Sequence, residues 1–211
     1  MSEYTVAQLD DIEEMNDGRC PFRPVRHHMG ITSFGVNSWT APSAGDRIIN
    51  EHDEDEGHEE LYLVHQGRAT FELDGERVDA PAGTLVFVPG SVKRTAFAEE
   101  PATTVIAFGG TPGKAYEPFG WEVWAPIRPL YEAGENAEAA ARLREAVEAY
   151  PQYPLLAYNL ACCESLTGQT EDALTHLRQA IEGRKEFRDY AADDTDLDAI
   201  RDEPAFKELV G

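Results

Sequence analysis

ELYLVHQGRATFELDGERVDAPAGTLVFVPG, residues 60–90, decides the fold of the first half of this chain. Short runs rich in Val, Leu, Phe and Thr are broken by Gly, Pro and Asp-Gly, the pattern of brief strands joined by tight turns. Asp74-Gly75, between TFEL and ERVDA, supplies the two positive-φ positions that a type I′ hairpin turn requires. Outward from this stretch, ITSFGVNSWT, DRIINEH, VKRTAFA and TTVIAFGG continue the same rhythm. Residues 30–110 therefore read as an all-β unit of barrel or sandwich type, with Phe71, Phe87, Phe97 and Phe108 as core candidates.

The glycines and prolines of this unit keep a fixed spacing. Glu60 is followed after six residues by Gly67, fifteen residues separate Gly67 from Gly83, and five more separate Gly83 from Pro89-Gly90. Gly67 and Gly83 fall at strand ends, where turns need positive φ. This spacing resembles the two sequence motifs of the cupin family, small antiparallel β-barrels of the jelly-roll type. The resemblance implies a barrel over residues 30–110. It also implies a site, because metal-binding cupins hold a divalent ion with two His one residue apart, then a Glu, then a third His. The Glu corresponds to Glu60. The paired-His position falls on Glu54 and Glu56, or on Asp53 and Asp55 with a spacing one longer, and His52 with Glu54 take it only if the loop carries a further residue. Counting from Pro89-Gly90 puts the third His position on Lys93, whose ammonium donates but cannot ligate.

Directly before β-forming LYLVHQG stands EHDEDEGHEE, residues 51–60, with seven carboxylates and two histidines. Residues i and i+2 of a strand share a face, which groups His58, Glu60, Tyr62 and Val64 and sets Leu61, Leu63 and His65 opposite. If Glu60 faces the interior as the resemblance implies, His52, Glu54, His58 and Glu60 are the candidate ligands for one divalent ion, Fe, Mn, Ni or Zn. A metal-free alternative is a pocket for a small polar molecule, with Tyr62, Phe87, Lys93, Arg94 and Trp39 as candidate lining. A third is a buried His58–Glu60 hydrogen-bonded pair beside a solvated acidic turn.

The chain changes character near residue 120. NAEAAARLREAVEAY and TEDALTHLRQAIEG place apolar residues three and four apart, as helices do. Offset by 34 residues, Gly134, Ala139, Leu143, Arg144, Ala146 and Val147 align with Gly168, Ala173, Leu177, Arg178, Ala180 and Ile181. This period and its small-residue pattern resemble tetratricopeptide repeats, with FRDY at residues 187–190 and the stretch after it as capping helices. The resemblance implies a peptide-binding face at Leu155, Tyr158, Asn159 and Cys162. The expected organisation is an N-terminal segment at residues 1–29, a jelly-roll cupin-like barrel at 30–110, a Pro/Gly/Trp connector at 111–126, and an all-α helical-repeat domain at 127–211.

Composition narrows the partners. Forty acidic against 18 basic side chains give a net charge of −22, which disfavours nucleic acid and anionic membrane, because both are bound through clustered Lys and Arg. There is no apolar run of ~18 residues, and the first residues, MSEYTVAQLDDIEEM, lack the basic and apolar regions of a signal peptide. A cytoplasmic location is the expectation. Cys20, Cys162 and Cys163 form neither a disulfide framework nor a zinc spacing and read as small buried hydrophobes. The expected role is a small-ligand or metal-binding barrel, homodimeric through the barrel, whose helical repeats meet a peptide or protein partner. The alternatives are a metal-dependent oxygenase or isomerase on a small polar substrate, and a dimeric scaffold without a ligand.

Overall fold

The computed structural model describes residues 4–16 and 20–211; residues 1–3 and 17–19 of the expected N-terminal segment lie outside them. The chain divides into two compact units between Glu117 and Pro118.

In the first unit the strands are β1 (Phe22–Arg23), β2 (Gly35–Ala41), β3 (Arg47–His52), β4 (Glu59–Gln66), β5 (Arg68–Leu73), β6 (Glu76–Pro81), β7 (Leu85–Pro89), β8 (Arg94–Ala98) and β9 (Thr103–Gly110). They form a five-stranded sheet of order β1-β2-β9-β4-β7 and a four-stranded sheet of order β3-β8-β5-β6, with every pairing antiparallel. From β2 onward, successive strands alternate between the sheets except across the β5–β6 hairpin, which is the jelly-roll path. That hairpin turns at Asp74 and Gly75, both at positive φ (49° and 86°), so the Asp-Gly signal does what its chemistry allows. Gly67 and Gly83 also sit at positive φ. β1 is two residues long and escapes any periodicity argument.

Both sheets contribute to one core. Tyr62, Val64, Val86, Val88 and Val105 from the first sheet meet Ile48, Phe71, Ala80, Ala96 and Ala98 from the second. Strand alternation decides which residues enter. Glu60, Tyr62 and Val64 of β4 point inward, while Leu61 and Leu63 point out. Arg94, Ala96 and Ala98 of β8 share the inner face.

The outer face of the first sheet carries two apolar rows. Leu61 lies between Phe87 and Phe108, and Leu63 between Leu85 and Ile106. Leu85 and Phe87 are 62% and 57% exposed. Phe87, expected in the core or a pocket, lies on this outer face because its neighbours Val86 and Val88 take the inward positions.

After α1 (Val25–Met29) in the first unit, the second unit contains α2 (Gly120–Trp124), α3 (Arg128–Glu132), α4 (Asn136–Ala149), α5 (Pro154–Leu166), α6 (Thr170–Gly183), α7 (Phe187–Asp193), a 3-10 segment (Thr195–Ile200) and α8 (Pro204–Val210). α4 and α6 begin and end 34 residues apart, and the repeat extends to the backbone, since Gly134 and Gly168 hold φ of 75° and 76°. Ala139, Leu143, Ala173 and Leu177, matched in the sequence, are all fully buried. Small Ala at these positions lets neighbouring helices approach closely. Part of the stretch read as a connector is helical: α2 lies within it, and Trp124 packs on Tyr131 with ring centroids 5.9 Å apart. Buried Glu164 is held by Arg144 at 2.9 Å and by His176 Nδ1 at 2.6 Å, the pairing that a carboxylate withdrawn from water requires.

Candidate functional site

Three strands and one loop build the site. Glu60 comes from β4, and His52, the last residue of β3, lies directly opposite Arg94, the first residue of β8. The acidic loop after His52 folds back over Gly90, where the Glu54 N–H donates to the Gly90 carbonyl at 2.9 Å. A Cβ on Gly90 would lie 2.1 Å from the Asp55 carbonyl oxygen. Only glycine permits that approach, and the approach carries Glu54 to the mouth of the unit. Gly109 leaves room for the His58 ring, whose Nε2 would lie 2.9 Å from a Cβ there.

Glu60 is the centre of the cluster. Its Oε2 accepts a hydrogen bond from the Tyr62 hydroxyl at 2.6 Å, lies 3.1 Å from Arg94 Nε and 3.5 Å from His52 Nε2. His52 Nε2 is also 3.8 Å from Glu54. The Asn50 carbonyl, 2.7 Å from His52 Nδ1, can only accept, so Nδ1 carries a proton and Nε2 faces the two carboxylates. The Arg94 side chain is 0% exposed. Its terminal nitrogens donate to the carbonyls of Gly90 and Pro89 at 3.3 and 3.2 Å. Its Nε makes an ion pair with Glu60 but has no aligned hydrogen-bond acceptor.

These contacts set the charges. For Glu60, burial favours the neutral acid, but hydrogen bonds from His52 and Tyr62 and the charge of Arg94 outweigh it and hold the carboxyl below its ordinary range. Burial also opposes the imidazolium of His52, yet the bonds to Glu60 and Asn50 and the Glu60 charge prevail and raise its pKa. Glu54 is raised by burial and by the neighbouring Glu60. The cluster thus alternates two carboxylates with an imidazole and a fixed guanidinium.

One ligand atom each from His52, Glu54 and Glu60 lies within 4.8 Å of the others, a grouping that distance alone allows for a cation. Of the acidic-run residues that the spacing offered, His52 and Glu54 are the ones brought to Glu60. The usual metal set nevertheless does not fit. The inward position on β8 belongs to Arg94, a permanent cation with no lone pair to give, and two unit charges about 5 Å apart at an effective dielectric of ~20 repel by roughly 3 kcal/mol, twice that for a dication.

The other sequence candidates separate. His58 lies over Gly109 beside Glu60, with Nδ1 3.4 Å from Thr111 Oγ1, outside the 4.8 Å group. Lys93 points outward, 2.7 Å from Glu51, because Arg94 takes the inward parity. Trp39 packs against the core, its ring 6.4 Å from Phe22. Tyr62 is buried and serves Glu60. In the helical unit, Tyr158 and Cys162 are interior: Tyr158 stacks on Phe187 at 4.7 Å and donates to Asp194 at 2.8 Å, and Cys162 lies 3.7 Å from the same carboxylate. Leu155 packs on the same core, and Asn159 is half-buried. Positions expected on an open concave face are thus filled in part by α7 and the 3-10 segment of the chain itself. Gly90 and Gly109 were missed as site-shaping residues, since sequence marks a glycine but not what approaches it.

Residues 130–192 match the model of the tetratricopeptide repeat family. No curated protein matches the chain. Among solved structures, it is similar to a cupin protein from Bacteroides fragilis, 16% identical over 58% of this chain and 95% of that one, with a TM-score of 0.43. It is similar also to KdgF from Halomonas sp., at 18% identity over 54% and 96% of the two chains and a TM-score of 0.42. A Streptomyces PAC13 variant solved with uridine gives 18%, 60%, 99% and 0.40 for the same quantities. The β unit follows a jelly-roll path, and residues 130–192 of the helical unit are similar to tetratricopeptide repeats. No helix is long and apolar enough to cross a membrane among the described residues.

The His52 contacts give a pH dependence of definite sign. Its folded-state pKa is raised, so its stabilising contribution is complete below the ordinary value of 6.5 and disappears as pH rises through the folded value. The melting temperature of the wild type minus that of His52→Gln is expected to be largest near about pH 6 and to shrink towards about pH 9. Differential scanning calorimetry at constant ionic strength checks this, and a difference that grows with pH would contradict it.

Proposed function

We propose that the β unit binds a small polar organic ligand at the cluster of His52, Glu54, Glu60 and Arg94, with Tyr62 holding Glu60 in place. The observation that carries this reading is the fully buried Arg94 guanidinium paired to Glu60. It supplies the positive charge that a metal would otherwise bring, and its Nε still lacks an aligned acceptor. Glu54 and Glu60 offer acceptors beside it, and His52 reaches solvent. Such a mixture of fixed donors and acceptors orients an organic ligand through hydrogen bonds. The oxygenase and isomerase alternatives depend on a metal and are not favoured by this set.

A thermal-shift screen of the full chain against polar metabolites tests the proposal. A hit is expected to stabilise the wild type and to lose at least tenfold in affinity, about 1.4 kcal/mol, in Glu54→Gln, read by calorimetric titration. Ligands that bind both proteins equally would place binding elsewhere.

The helical unit is proposed to meet a partner protein, supported by its tetratricopeptide likeness. With Tyr158 and Cys162 interior, the proposed surface falls on other residues of the unit. Homodimerisation is proposed through the outer face of the first sheet, supported by the apolar rows ending at exposed Leu85 and Phe87 on edge strand β7. Exposed apolar faces of this kind mark interaction sites, and the pairing backbone of β7 ends at Pro89, which has no N–H to offer. Light scattering after gel filtration is expected to show a dimer for the wild type and a monomer for Leu85→Lys/Phe87→Glu. A monomeric wild type would overturn the proposal.

A further inference from the structure

We infer that Arg94 is the built-in cation of the site and the residue that determines its ligand class, so that removing its charge turns the cluster into a divalent-metal site. The inference rests on the metal-free reading above and concerns what this chain has put in place of an ion.

Three observations carry it. First, His52, Glu54 and Glu60 already bring one ligand atom each within 4.8 Å of one another, and His52 has its Nδ1 tied to the Asn50 carbonyl, which leaves Nε2 towards the carboxylates. An imidazole so tied is oriented as metal-binding histidines are. Second, Arg94 is immobilised: it is fully buried, its ends are anchored on Gly90 and Pro89, and its Nε stands 3.1 Å from Glu60. The charge cannot swing away to admit a metal. Third, β8 places this side chain inward by the same alternation that turns Ala96 and Ala98 into the core, so a histidine at position 94 would also enter from that face. Lys93, one residue earlier, is bound to Glu51 on the outside and cannot substitute for it.

The guanidinium does two things that a metal would do in its place. It neutralises Glu60, and it ties β8, the strand paired with that of His52, to the strand carrying Glu60. Its difference from a metal is that it offers no open coordination position, so a small molecule meets the imidazole and carboxylates that the buried guanidinium holds in place. Selectivity against metals then resides in one side chain.

The test is calorimetric titration of Zn²⁺ and Mn²⁺ into the untagged full chain, comparing the wild type with Arg94→His, Arg94→Lys and Arg94→His/His52→Ala, each checked for folding by circular dichroism. Arg94→His is expected to bind one ion per chain at least 100-fold more tightly than the wild type and to melt higher when the ion is added. Arg94→Lys, which retains the charge, is expected to stay metal-free, and the double variant to lose the gain. Should Arg94→His not fold, Arg94→Ala prepared with Zn²⁺ present carries the same test, with metal-dependent stability as its readout. A folded Arg94→His with no gain over a metal-free wild type would overturn this inference alone. Tight one-to-one binding by the wild type would overturn it together with the metal-free reading of the site.

Discussion

The ion pair between Arg94 and Glu60 is the constraint on which the site depends. A carboxylate placed at the inner face of a β unit is costly unless something compensates its charge, and here a guanidinium with no exposure to solvent does so. Removal of one partner from such a pair costs about 3–5 kcal/mol, because the other is left uncompensated. The pair therefore fixes its surroundings. Arg94 must lie inward, which turns Lys93 out to Glu51. Glu60 must remain ionised, which draws the Tyr62 hydroxyl and His52 towards it.

The acidic loop completes the cluster through backbone rather than charge. Like-charged residues do not gather spontaneously, and Asp53, Asp55 and Glu56 remain exposed. Glu54 alone among the residues from Asp53 to Glu56 is drawn in, because its N–H is bound to the Gly90 carbonyl and the loop passes where any side chain on Gly90 would stand. The same carbonyl accepts from Arg94. One glycine thus couples loop position to the placement of the guanidinium, and the site is a consequence of strand ends meeting there.

Much of the fold was legible because it rests on local chemistry. Asp74-Gly75, Gly67 and Gly83 announce positive φ, and the repeat of 34 residues announces itself in Gly134 and Gly168 as much as in the helices between them. The site was legible in part. Strand alternation grouped His58 and Tyr62 with Glu60, but loop length admitted three alignments of the acidic run, and only the folded loop brings His52 and Glu54 beside Glu60. Lys93 and Arg94 were separated by a single step of strand parity, which counting from Pro89-Gly90 does not determine. The buried Ala96 and Ala98 carry that parity, and reading backward from them would have turned Arg94 inward. In the helices, the pattern showed which residues share a face but not that α7 and the 3-10 segment fill the face holding Tyr158 and Cys162.

Function thus turns on whether a guanidinium replaces a metal in this cluster. The most direct measurement is elemental analysis of the untagged chain, purified without chelator from cells grown with added Fe, Mn, Ni and Zn. The account predicts transition metal far below one ion per chain, unchanged by His52→Ala. One ion per chain, lost in His52→Ala, would contradict it.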